Sequence, residues 1–285
     1  MAGSRVELGN SGYTRHMDEL EAIGAASDAE IDLAETALLL AAIDRPDEPL
    51  APYRAHLSEL AQAANAVTRY SDSVGVQADA LRSTVAAQFG YRGDSETYDD
   101  ARNANLLSVI DRRRGLPVAL GILYIHAARA YGSDVAGLNF PSHFVVRIEA
   151  RGQRLVFDPF DEFAPMDAAA LRRRLKELHG DDAELEAAFH APVGNRDILV
   201  RLQNNLKVRA VTAGDLLRAI EVLETMVRIA PKRPELWWEK ALLHYQVGGV
   251  KTAIATLEAF LDAATPGAQH PQMEDLLRQL RGTMN

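Results

Sequence analysis

Eight histidines and no cysteine bound the chemistry open to this chain of 285 residues. Without a thiol there is no disulfide, no Cys-ligated zinc or iron–sulfur cluster and no thiolate nucleophile. His16, His56, His126, His179, His190, His244 and His270 show no metal-ligand spacing, so neither a metal site nor a cofactor is expected. His143 stands apart by its setting. It opens a run rich in β-formers, His143-Phe144-Val145-Val146-Arg147-Ile148-Glu149, where an imidazole is either a packed, hydrogen-bonded core group or a general base. Asp158 closes a second such run, Arg154 to Asp158, and precedes Pro159, where an Asp commonly does no more than cap a turn. Arg102, Asn103 and Arg114 flank the polar stretch 94–100, either lining a cleft or holding the loop by its own hydrogen bonds.

The elements that must position these residues read as α+β. Residues 1–17 are Gly/Ser-rich and polar, a flexible leader, and a helical N-terminal block follows over 18–90. Ser27-Asp28-Ala29-Glu30 reads as a capping box opening a helix that carries Leu33, Ala37 and Ala41 and ends before Pro46 and Pro49. Further helices are predicted from about Ala51 and over about 77–89, the latter stopped by Gly90. Over 91–165 a short helix (about 102–113) gives way at Gly115-Leu116-Pro117 to a strongly apolar helix that Gly132 closes. Pro117 suits its first position, where a missing N–H costs nothing. The two strand-like runs come next, and Asp167 and Gly180 bracket a helix in the connecting region 166–199.

The segment 200–285 repeats itself. Gly214 and Ala219 recur 34 residues on as Gly248 and Ala253, and Pro231 recurs as Pro266 with one residue of drift. That is the period of a tetratricopeptide helix pair. Met226 and Phe260 fill the packing slots, Trp237 and Ala241 those of a first helix, and a closing helix is predicted over about 272–281. Adjacent residues cannot both be fully buried on one helix face. One of Trp237 and Trp238 therefore meets either a partner or the preceding domain.

The runs Tyr91-Arg92-Gly93-Asp94, Tyr98 to Asn103, Arg113-Arg114-Gly115-Leu116-Pro117, Phe140-Pro141-Ser142-His143-Phe144 and Phe157-Asp158-Pro159-Phe160 resemble the SirB-type transglutaminase-like family. The likeness spans most of the chain once the helical block and the repeats are included. It implies a papain/transglutaminase-like core in which Cys, His and Asp form a triad. The Cys slot falls on Pro117, and His143 and Asp158 fill the other two. A cysteine at a helix N-terminus beside an imidazole would be held as thiolate; proline can replace none of its roles. No stand-in is evident. Ser142, on the same strand as His143, should face the other way, and Tyr124 and Ser108 lie elsewhere.

A net charge of −9 opposes non-specific binding to nucleic acid or anionic membrane, and the arginine runs 112–114 and 172–174 read as solvated helix faces. The N-terminus lacks an apolar signal core, and the longest apolar stretch, 116–130, is too short to span a bilayer, so a cytoplasmic protein is expected. The expected function is a non-enzymatic adaptor that binds a protein or peptide through its repeats. The alternative is a hydrolase-like enzyme in which Asp158 orients His143 as a general base.

Overall fold

A computed structural model describes residues 3–68, 73–263 and 270–283. The chain forms two compact units, one comprising residues up to His16 with Ser27–Leu202, the other Met17–Ala26 with Gln203 onward. The expected leader is instead part of a helix, α1 (Gly3–Ala25). Its latter half buries Met17, Leu20 and Gly24 at spacings of three and four, an apolar stripe that the Gly/Ser content conceals.

In the first unit the Ser27–Glu30 box forms, with the Ser27 N–H donating to Glu30 Oε2 at 2.8 Å. It closes only a 3-10 turn, Asp28–Glu30. The helix itself, α2 (Leu33–Ala42), is opened by Asp32, whose Oδ1 accepts from the N–H groups of Ala34 and Glu35. A short polar side chain beside free amides outcompetes a cap five residues upstream. Next come α3 (Ala51–Thr68) and α4 (Val74–Leu81), the latter continuing as a wider π-wound segment over Arg82–Gln88 before Gly90 turns the chain at φ +75°.

Two short strands, β1 (Arg92–Gly93) and β2 (Arg114–Gly115), pair in parallel around α5 (Leu106–Arg112). The central helix α6 (Pro117–Arg129) is buried at every residue from Pro117 to Ile125, which explains its unbroken apolar sequence. Sequence reading finds two strands; the sheet has five. Its strands are β3 (Asp134–Leu138), β4 (Val146–Ala150), β5 (Gln153–Asp158), β6 (Ala164–Met166) and, beyond α7 (Ala168–His179), β7 (Pro192–Val193). All pair antiparallel in the order β6-β5-β4-β3-β7. As predicted, Asp167 caps α7 and Gly180 ends it at φ +92°.

The second unit takes in the latter part of α8 (Asn195–Thr212), then α9 (Leu216–Ile229), α10 (Pro234–Gln246), α11 (Val250–Ala263) and α12 (His270–Gly282). The 34-residue period is visible in the backbone: Gly214 and Gly248 both take left-handed turns, at φ +76° and +82°. Ala219 and Ala253 are completely buried, with Met226 and Phe260 in the packing slots. Pro266 lies outside the described residues. Ala219→Leu should therefore lower stability by about 1–3 kcal/mol through overpacking. Denaturant melts would check this, and an unchanged midpoint would mean that helix contact at Ala219 is not tight.

Candidate functional site

The helix that would carry a nucleophile begins with Pro117 in its first position and Leu116 as its cap, and neither side chain can donate, accept or attack. Gly121, one turn on, lies against the ring of Phe144: a Cβ there would come within 2.3 Å of it, and one on Gly137 of β3 within 2.5 Å. This ring, wedged between two glycines, fastens the segment that bears His143 to the helix and the sheet.

His143 is not on a strand. It sits in the bend before β4, where its N–H donates to the Pro141 carbonyl at 2.7 Å and Ser142 is held at φ +56°. Ser142 lies in the same bend, so strand alternation does not turn it away from the His143 ring. A left-handed serine is uncommon, and such strain persists where the surroundings over-determine it. The His143 Nε2–H donates to Asp158 Oδ2 at 2.8 Å, and both residues are buried. Asp158, at the end of β5, also accepts from the Phe160 N–H through Oδ1 at 2.9 Å. A carboxylate on Nε2 leaves the lone pair on Nδ1, which has no partner among the described residues. The arrangement can hold an imidazole in one tautomer and orient it. It supplies no nucleophile.

Two arginines that sequence reading missed join the dyad. Arg201 of α8 donates to the His143 carbonyl at 2.6 Å and lies 5.6 Å over the Phe144 ring. Arg174 of α7 stands 3.8 Å from Asp158 Oδ2. Both come from helices well downstream in the chain, and no local pattern marks them.

The residues predicted to line a cleft are otherwise occupied. Asn103 is completely buried, its Nδ2 donating to the Thr97 carbonyl at 2.6 Å and its Oδ1 accepting from Arg112 at 2.9 Å. It anchors its own loop. Arg102 pairs with Asp100 (2.9 Å) and Arg114 with Glu96 (2.7 Å), both at the surface. In the run 112–114, Arg112 reaches Asp94, Arg113 binds His56 and the Tyr91 hydroxyl, and Arg114 takes Glu96. These side chains are fold contacts rather than a solvated face. Tyr124 stacks on Phe163 with ring centroids 4.2 Å apart, and burial pushes its phenol well above the ordinary tyrosine range, so it is no ready nucleophile.

Both tryptophans pack partly buried on the repeat unit's own cluster of Ala241, Ala253, Leu257 and Phe260. Trp237 Nε1–H donates to the Pro231 carbonyl at 2.9 Å, and Lys240 sits 5.6 Å from its ring. Among the described residues, no three His, Asp or Glu side chains are placed to hold a metal, and no helix is long and apolar enough to cross a membrane.

Residues 51–204 match the transglutaminase-like superfamily, and residues 206–281 match the tetratricopeptide repeat. A UPF0162 protein of Xylella fastidiosa is 28% identical over 242 residues, 84% of this chain and 86% of its own length. One of Vibrio cholerae is 24% identical over 233 residues, covering 81% of this chain and 86% of that protein. Human F-box only protein 21 is 26% identical over 178 residues, 60% of this chain and 28% of its own length. No solved structure matches. More than half the chain answers to one family, so it belongs to the transglutaminase-like superfamily, as a SirB-type member whose core is followed by tetratricopeptide repeats.

Proposed function

We propose that this is a cytoplasmic, non-enzymatic adaptor that binds a segment of another protein on its repeat unit. The observation that carries the reading is Pro117 at the entrance of α6, in a chain without a single cysteine. An acyl-enzyme route needs a nucleophile at that point, and the His143–Asp158 pair alone does not form one. The repeat unit supports the other half of the reading. Between α8 and α10 runs an apolar groove of about 290 Å³, lined by Val208, Val211, Leu242 and Leu243, with the Lys207–Glu239 ion pair at its edge. Val208 and Val211 are 47% and 43% exposed. An occupant with two or more apolar side chains on one face would cover them.

The test begins with capture of the partner from extract by the full chain. Affinity and melting temperature are then measured for Val208→Asp, Val211→Asp and His143→Ala. The groove variants should bind at least about tenfold more weakly with little change in melting, and folded His143→Ala should bind normally. The purified chain should also show no transamidation or amide hydrolysis with glutamine peptides and amines. The unpartnered Nδ1 and the strained Ser142 favour a second reading, in which His143, oriented by Asp158, draws a proton from water or a substrate hydroxyl. Turnover abolished by His143→Ala, or binding lost in that variant and kept in the groove variants, would replace the adaptor reading with this one.

A further inference from the structure

We infer, building on the adaptor reading, that the segment seated in the α8–α10 groove is an amphipathic helix of a partner, with lysine or arginine beside its apolar stripe. Among the described residues of the second unit, the large apolar side chains left exposed are Val208, Val211, Leu217, Tyr245 and Val247. All five fall close in sequence to the left-handed turns at Gly214 and Gly248. Val211 and Tyr245 are 34 residues apart, equivalent positions of successive repeats. Exposed apolar surface gathered in one place, rather than scattered singly, marks a docking face.

A helix fits the shape of that face. Val208 and Val211 stand one turn apart on α8 and share the trough with Leu242 and Leu243 of α10. Such a channel takes side chains at spacings of three and four from a third helix. A second copy of the chain stacked on the end of the array is disfavoured. There α12 leaves Gln272, Glu274, Asp275, Arg278 and Gln279 exposed, the polar face of a closing repeat.

The charges that the trough turns toward solvent are carboxylates. Lys207 and Glu239 form an ion pair, but the lysine side chain is 11% exposed and the glutamate 45%, so the carboxylate is the end an occupant meets. Glu239, Leu242, Leu243 and Gln246 follow one another at helical spacing along the groove wall. Glu235, one turn before Glu239, continues that face. Its side chain is 53% exposed, and the Arg233 guanidinium stands 3.8 Å away, beyond hydrogen-bond reach. An acidic occupant would set carboxylate against carboxylate. A lysine or arginine one turn beyond the apolar stripe meets Glu239 and Glu235 instead. The chain's net charge of −9 acts in the same direction at longer range.

The probes are two synthetic alanine-based helices of about 18 residues with the same leucine stripe. One carries lysines beside the stripe; its twin carries glutamates at the same positions. Fluorescence anisotropy with the full chain should show the lysine peptide binding at least about tenfold more tightly. Val208→Asp should abolish binding of both. Glu235→Lys leaves the Lys207–Glu239 pair intact and should cut the preference to about threefold or less. Glu274→Lys makes the same change of net charge on α12 and should keep it. The comparison of twins needs no variant, so a folding defect cannot mask the answer. Equal binding, or tighter binding of the glutamate twin, with both lost in Val208→Asp, would overturn the inference and leave the groove standing as a docking site. A preference reduced alike by Glu235→Lys and Glu274→Lys would overturn it by assigning the effect to net charge. No binding of either peptide would overturn it together with the groove half of the adaptor reading.

Discussion

Replacing Asp94 by alanine should destabilise the first unit by about 3 kcal/mol, the low end of the range for breaking a buried ion pair. The carboxylate is completely covered and accepts from the Thr97 N–H (2.9 Å), the Thr97 hydroxyl (2.7 Å) and Arg112 (2.8 Å). The low end applies because Arg112 stays about a quarter exposed and can return to water. Burial alone would raise the Asp94 pKa; the Thr97 and Arg112 hydrogen bonds outweigh it and hold the carboxyl well below the usual range. The sign follows. An acid depressed in the folded state lends its stability above its unfolded value and loses it as pH falls toward the folded one. The gap between native and Asp94→Asn proteins should be flat above about pH 5 and narrower by about 1 kcal/mol near pH 3. Urea melts across that range would show it. A gap that stays constant to pH 3 would mean the ionised carboxylate is not what anchors the 94–105 loop.

That loop shows where sequence is informative and where it stops. Residues with a local job were legible: Asp167 and Gly180 at the ends of α7, Pro117 at the start of α6, Gly214 and Gly248 turning the repeats. Each is dictated by backbone groups within a few residues. The His143–Asp158 pair was legible for another reason, since the family resemblance named both positions and the fold sets them 2.8 Å apart. What failed depended on distance along the chain. Strand β7 is two residues long and joins β3 from more than fifty residues away, so no alternation could announce it. Arg112 reads as one of three solvated arginines until Asp94 closes over it, and Arg201 meets His143 only through the fold. The β-formers that follow His143 make it read as the first residue of a strand. The left-handed Ser142 that removes it from the ladder has no signature in residue type.

Phe163→Ala should cost about 3–5 kcal/mol, the usual range for emptying a buried aromatic site, and should loosen the dyad as it does so. The ring is 1% exposed and lies between Tyr124, 4.2 Å away and tilted by 11°, and Phe157, 4.8 Å away and tilted by 9°. Its backbone sits at φ +62° directly after Glu162 at +47°, and its N–H donates to the Asp158 carbonyl at 2.8 Å. A bulky residue in this region is strained by about 1–2 kcal/mol, and only the stack repays holding it there. Alanine keeps the strain and loses the stack; glycine loses both. Phe163→Gly should therefore be about 1 kcal/mol more stable than Phe163→Ala, the reverse of their order at an ordinary position. Equilibrium melts of the two variants decide the point. Glycine falling below alanine would show that the turn carries no strain. The same variants should broaden the NMR signal of the His143 Nε2 proton, because the turn that the ring pins is the one that holds Asp158. If that signal stays sharp in a destabilised Phe163→Ala protein, the dyad is held by Arg201, Arg174 and the wedge of Phe144 instead, and the aromatic stack serves the core alone.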